Sequence, residues 1–225
     1  MLRTSITVIA AAAGVAGLAG SGGPVRMGSA ALTGSHSIST TTLSNEVSDL
    51  NSTYQASKGK IRLQFPPSQI PQQVLSWLVR FKIRDQLAVR SGVSVTPAEI
   101  QRALDNVKSQ AQQSGSASLD DLAVANGLPP DMLPALGRYQ AIETAVIDQL
   151  DGGTLPKTNA ALQQLGSQFN NRQCLAAKSL RISVNPQYGQ FDYKQLAIVP
   201  ATSTLSAPEV VKPSASPSAQ SAPPC

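Results

Sequence analysis

The sequence predicts a mainly α fold: about six helices closed by a small sheet that pairs the N-terminal and C-terminal strands of the domain. Three observations carry that expectation. Apolar residues recur at helical spacing from Ile70 to Ala176, in segments separated by Gly, Pro and Ser. Helix starts are marked by capping residues, most clearly Thr96-Pro97-Ala98-Glu99. The period then changes: Leu180, Ile182 and Val184 alternate with Arg181 and Ser183, as in a strand.

Arg3 is followed by an uncharged, largely apolar run from Thr4 to Val25. A basic start, an apolar segment and small residues at Ala19-Gly20-Ser21 make a secretory signal peptide. The alternative is a retained membrane anchor, since the run is about long enough to span a bilayer. Either reading makes the chain exported and extracytoplasmic, secreted or held at the outer face of the cytoplasmic membrane. Leu18-Ala19-Gly20 resembles the start of a bacterial lipoprotein box, but Ser21 stands where that pattern needs cysteine. A hydroxyl cannot replace the lipidated thiol, so standard lipidation is not expected.

Residues 1–28 are thus a signal or anchor with a short linker, and 29–200 are the folded domain. Ala201 to Cys225 is almost entirely Ser, Ala, Pro, Thr and Val, a composition expected to form a disordered tail. Within the domain, Ser29 to Ile38 holds a strand and a tight Gly turn. Ser39 to Thr42 offers caps for a helix through Leu43, Val47 and Leu50. Lys58 to Phe65, ahead of Pro66-Pro67, reads as a loop.

Ile70, Val74, Trp77, Leu78 and Phe81 then form one helical face, with Leu75, Val79, Ile83 and Leu87 beside it. A helix apolar on two sides sits between neighbours and is the central helix. After the Thr96 box, Ile100, Ala103, Leu104, Val107 and Ala111 continue at helical spacing. Ser118-Leu119-Asp120-Asp121 caps a short helix that Gly127 stops. Pro130 to Leu150 and a segment through Leu162, Leu165, Phe169 and Ala176 complete the helices. The terminal strand at Leu180 to Val184 needs a partner, and Ala30 to Thr33 is the other candidate.

Composition excludes several functions. His36 is the one histidine, which removes any site built on two, and two cysteines cannot form a cysteine-built zinc or iron–sulfur site. No glycine-rich stretch follows a strand and opens a helix, so no nucleotide cofactor is expected. No cofactor or metal of any kind, and no enzymatic activity, is expected. The net charge is +5, yet Arg80, Lys82 and Arg84 form the densest basic stretch, and helical spacing scatters them. No nucleic-acid partner is expected; the charge suits contact with the outer membrane face or anionic wall polymer. Asp120 and Asp121 lie in a first helical turn, where carboxylates complement the helix dipole, and are read as capping.

Export permits a disulfide between Cys174 and Cys225. Two free thiols, or Cys225 pairing between molecules, remain the alternatives, and the oligomeric state is open.

Three segments resemble the N-terminal domain of SurA-type extracytoplasmic chaperones, in the form carried by small exported actinobacterial proteins. Ala30-Ala31-Leu32-Thr33-Gly34 followed by Ile38-Ser39-Thr40 is similar to the family's opening strand and turn. Val93-Ser94-Val95-Thr96-Pro97-Ala98-Glu99-Ile100 is similar to its helix start, where a Val-Thr-x-x-Glu-Ile stretch follows a long helix, and Ile182 to Asp192 is similar to its closing segment. The resemblance implies an ATP-independent holdase binding extended apolar segments of unfolded or nascent exported polypeptides. Many relatives add a prolyl isomerase domain of a size that has no room here, so isomerase activity is not expected. The alternative is a non-catalytic cell-envelope adaptor with one dedicated protein partner.

For peptide binding, the resemblance directs attention to Trp77, Leu78 and Phe81, whose rings and side chain offer large apolar contact. Met132, Tyr139, Ile142 and Val146 form a second helical stripe of the same character. The competing reading of all seven is core packing.

Overall fold

A computed structural model describes residues 27–113, 118–154 and 156–201. The signal or anchor features up to Ser21, the tail from residue 202 and Cys225 lie outside the described residues. Strands β1 (Ser29–Thr33) and β2 (His36–Ser39) form an antiparallel hairpin, with Leu32 opposite Ser37 and an irregularity between Ser29 and Ala31. Helix α1 (Thr40–Ala56) begins where the Ser39 hydroxyl accepts from the Thr42 N–H at 2.9 Å. Such a cap satisfies one of the first-turn amides that no earlier carbonyl reaches.

The central helix α2 (Ile70–Ser91) enters through a 3-10 turn at Pro67–Gln69 and ends at Gly92. Helix α3 (Pro97–Gln113) starts at the expected box: the Thr96 N–H donates to Glu99 Oε2 at 2.7 Å, and the Glu99 N–H to the Thr96 hydroxyl at 3.3 Å. Helix α4 (Leu119–Ala125) is capped by Ser118, which accepts from the Asp121 N–H at 2.9 Å. Helices α5 (Leu133–Asp151) and α6 (Asn159–Ser179) complete the six found among the described residues.

The ends of the domain then meet. Strand β3 (Ser183–Val184) pairs antiparallel with β1, with Ala31 opposite Val184, so β1 lies centrally in the order β2-β1-β3. The strand is shorter than the alternation suggests. Leu180 is instead the C-cap of α6, and Arg181 takes a left-handed φ of 46° that turns the chain into the sheet. A second hairpin, β4 (Gln190–Asp192) with β5 (Ala197–Val199), was not anticipated.

Helix α2 organises the interior because its apolar residues face three sets of neighbours, each stripe being shared between two of them. Val74, Leu75, Val79 and Ile83 join the three-stranded sheet, α1 and Ile198 of β5 in the largest cluster. Leu87 and Ala88 meet Ile142 and Val146 of α5 and Phe169 and Ala176 of α6. Trp77 and Phe81 lean on a third cluster with Leu128, Leu136, Met132 and Tyr139. The segment after α1 is irregular, as expected, but anchored: Ile61 is buried and the Gln64 N–H donates to the Ala125 carbonyl at 2.8 Å.

Candidate functional site

The seven side chains proposed for peptide contact do not form one surface. Leu78 packs against the sheet-side cluster, while Trp77, a rotation of 100° back along the helix, lies against the α4–α5 side. Ile142 and Val146 are core residues, 1% and 0% exposed, between α2 and α6. Trp77, Phe81, Tyr139 and Met132 do come together, each half-buried. Their rings form a triad with centroids 5.8, 6.3 and 6.1 Å apart, and both pairs with Tyr139 meet edge to face. The Trp77 indole N–H donates to the Asn126 carbonyl at 2.9 Å, which fixes the ring to the end of α4.

A buried ion pair lies beneath this triad. Arg84, on α2, donates through Nη2 to Glu143 Oε2 on α5 at 3.0 Å; the side chains are 3% and 33% exposed. The guanidinium carbon stands 3.9 Å from the Tyr139 ring centroid and 4.9 Å from that of Phe169. Stacking between two rings partly replaces lost hydration, yet Nε and Nη1 have no hydrogen-bond partner among the described residues. A cavity of about 50 Å³ adjoins, and its lining includes Arg138 and Asp85, paired at 2.9 Å.

The larger opening lies at the other end of α2. A cleft of about 690 Å³ runs between the start of α2 and the second hairpin. One wall is Ser68, Gln69, Pro71 and Gln72; the other is Pro186, Gln187, Tyr188, Gly189, Pro200 and Ala201. Its size falls within the ~300–1,000 Å³ typical of ligand clefts, and no lining residue carries a charge.

Local chemistry builds both walls. Pro66-Pro67 stops the preceding loop and starts the 3-10 turn that delivers Gln69 and Gln72. Opposite, the Asn185 side chain caps the turn Pro186–Tyr188, accepting from the Gln187 N–H at 3.2 Å. Gly189 follows with φ 119°, and a Cβ there would collide with the Val199 carbonyl oxygen. Only glycine lets the turn close onto β5.

Helix α2 holds the hairpin in place. The Ile198 N–H donates to the buried Ser76 hydroxyl at 3.0 Å, and Arg80 Nε donates to the Leu196 carbonyl at 3.1 Å. Leu196 itself has a left-handed φ of 49°, so Arg80 ties down a turn that a leucine rarely adopts. Burial lowers the Arg80 pKa from its ordinary value, and burial likewise raises that of the Tyr193 phenol.

Among the described residues, no group of three or more His, Cys, Asp or Glu side chains could hold a metal ion. Asp120 and Asp121 occupy the first turn of α4, and His36 is an exposed residue of β2. No described helix is long and apolar enough to cross a membrane. Cys174, half-buried on α6, is disulfide-bonded.

The glutamines of the cleft carried no distinguishing signal in the sequence. The two walls are set by proline turns, at Pro66-Pro67 and at Asn185-Pro186.

Set beside known protein families, residues 2–150 match the SurA-like N-terminal domain, and the chain belongs to that family. The family is extracytoplasmic and chaperone-like. No curated protein and no solved structure matches the chain. The match ends within α5, so α6 and the later strands lie beyond it, joined to the matched part through β1 and α2.

Proposed function

We propose that this protein is an ATP-independent holdase of the extracytoplasmic space, binding extended segments of unfolded exported proteins without catalysing prolyl isomerisation. The observation that carries the reading is the uncharged cleft between α2 and the second hairpin. Gln69, Gln72 and Gln187 each offer amide donors and a carbonyl acceptor, which match the N–H and C=O groups of any extended backbone. Pro71, Pro186, Pro200 and the Tyr188 ring supply apolar contact between them. Such a lining recognises main chain rather than a particular side chain, as a promiscuous binder requires. Family membership supports the same reading.

The aromatic triad is a secondary contact surface, since its rings are half-buried and one is fixed by a hydrogen bond. The test is suppression of aggregation of a chemically unfolded client by the full chain, without nucleotide, beside a proline-limited refolding assay. Suppression at near-stoichiometric ratio without faster isomerisation is expected. It should weaken severalfold in Gln69→Ala/Gln72→Ala and hardly change in Trp77→Phe. Failure to protect several different clients would overturn the holdase reading in favour of an adaptor with a dedicated partner.

A further inference from the structure

At the end of α2 far from the cleft, a groove of about 330 Å³ lies between α2, α5 and α6. Leu87, Arg90 and Ser91 line it from α2, Gln149 from α5, and Arg172 and Leu175 from α6. Two guanidinium groups therefore meet one opening from separate helices. Among the described residues no carboxylate lines the groove, and neither arginine forms an ion pair, unlike Arg84 and Arg138.

Neutral groups hold this arrangement. The Gln149 side-chain amide donates to the Ser91 carbonyl at 3.1 Å, and its oxygen accepts from Arg172 Nη1 at 3.2 Å. Arg172 is thus half-buried and oriented without being neutralised. The carbonyls at the negative end of α2 are occupied too: Gly92 N–H donates to Val89, Val93 N–H to Ala88, and Gln149 to Ser91. An anion in the groove therefore does not face a row of bare carbonyls. Leu87 is buried and Leu175 is 43% exposed, so apolar contact lies beside the charges.

We propose that this groove binds the phosphate group of a phosphate ester. Guanidinium forks match oxyanions, with two N–H groups meeting two oxygens. A carboxylate presents its oxygens in one plane, whereas a phosphate directs oxygens toward forks arriving from two helices. The volume stands at the lower end of the ~300–1,000 Å³ of ligand clefts, which admits the esterified group as well as the ion. Leu87 and Leu175 supply contact for that group. A phospholipid headgroup and a soluble phosphate ester offer the same chemistry. The site is separate from the cleft, since Arg90 lies about 27 Å along α2 from Gln72. Filling the groove leaves the cleft open.

The full chain is titrated by calorimetry with glycerol 3-phosphate, with phosphatidylglycerol vesicles, and with succinate, a carboxylate of similar charge. Binding of a phosphate arm is expected, with succinate much weaker. Binding of the ester alone identifies a soluble ligand; vesicle binding reversed by excess ester identifies the headgroup. Arg90→Gln and Arg172→Gln should each weaken the interaction severalfold. Gln149→Ala keeps both charges but releases Arg172, and should weaken it as well. Arg62→Gln removes an exposed charge elsewhere and should change nothing. Equal weakening by Arg62→Gln would reduce the effect to net charge and overturn the site. Succinate binding as tightly as the ester, or no response to either phosphate arm, would overturn it too.

Discussion

Glu143→Ala tests the buried ion pair most directly. The substitution leaves the Arg84 guanidinium inside the protein with its one carboxylate partner gone and its Nε and Nη1 already without partners. Removing one member of a fully buried pair costs about 3–5 kcal/mol, because the remaining charge is neither hydrated nor neutralised. Glu143 keeps a third of its side chain in water, so the pair is partly solvated and the lower end, ~3 kcal/mol, applies. For a chain of this length that lowers Tm by roughly 6–12 °C. The assay is urea unfolding followed by fluorescence of Trp77, the single tryptophan, which stands beside the affected helices. The double variant Arg84→Met/Glu143→Leu removes both charges and fills the same space. It should be more stable than Glu143→Ala, despite losing the stacking on Tyr139 and Phe169. A loss below ~1 kcal/mol in Glu143→Ala would mean that the guanidinium is effectively hydrated. A double variant less stable than the single one would refute the desolvation argument outright.

Other perturbations address the remaining elements. Gly189→Ala forces a side chain onto the Val199 carbonyl at a left-handed φ, and should destabilise by about 2–4 kcal/mol; hydrogen exchange should localise the damage to residues 186–199. Thr96→Ala removes the hydroxyl that caps α3 and should cost about 1 kcal/mol, with circular dichroism showing a frayed helix start and a cleft of unchanged function. The Glu46 carboxyl has a raised pKa, chiefly through burial and then through the negative charges of Asp131 and Asp49. A raised carboxyl pKa contributes stability that is complete below the unfolded value and lost as pH rises through the folded one. Glu46→Gln should therefore be more stable than the parent at pH 7, with the difference shrinking as pH falls through the ordinary carboxylate range; a constant difference across that window would count against the reasoning.

Local patterns in the sequence were sufficient for everything that depends on neighbours within a few turns. The caps at Ser39, Thr96 and Ser118 were legible because each bond spans three residues. The central position of α2 followed from its two apolar stripes, and the pairing of β1 with β3 from the scarcity of other strands. Leu180 was misread because alternation over five residues fits a strand and a helix end equally well; the left-handed Arg181 decided between them.

Contacts between distant parts of the chain were beyond that kind of reading. Ser76 and Arg84 look like solvent-facing positions of a helix, yet both are buried. Their partners, Ile198 and Glu143, arrive from 122 and 59 residues away. Likewise, the apolar periodicity placed Trp77, Leu78, Phe81, Met132, Tyr139, Ile142 and Val146 on helix faces without saying what each face meets. Helix spacing is a property of one segment, whereas exposure is a property of the assembled molecule. The sequence by itself thus determined the helices, their starts and the closing sheet. The division of α2 among three clusters and its buried charge were decided only when α4, α5 and α6 packed against it, and the cleft between Gln72 and Gly189 only when the second hairpin did, because each depends on residues far apart in the chain.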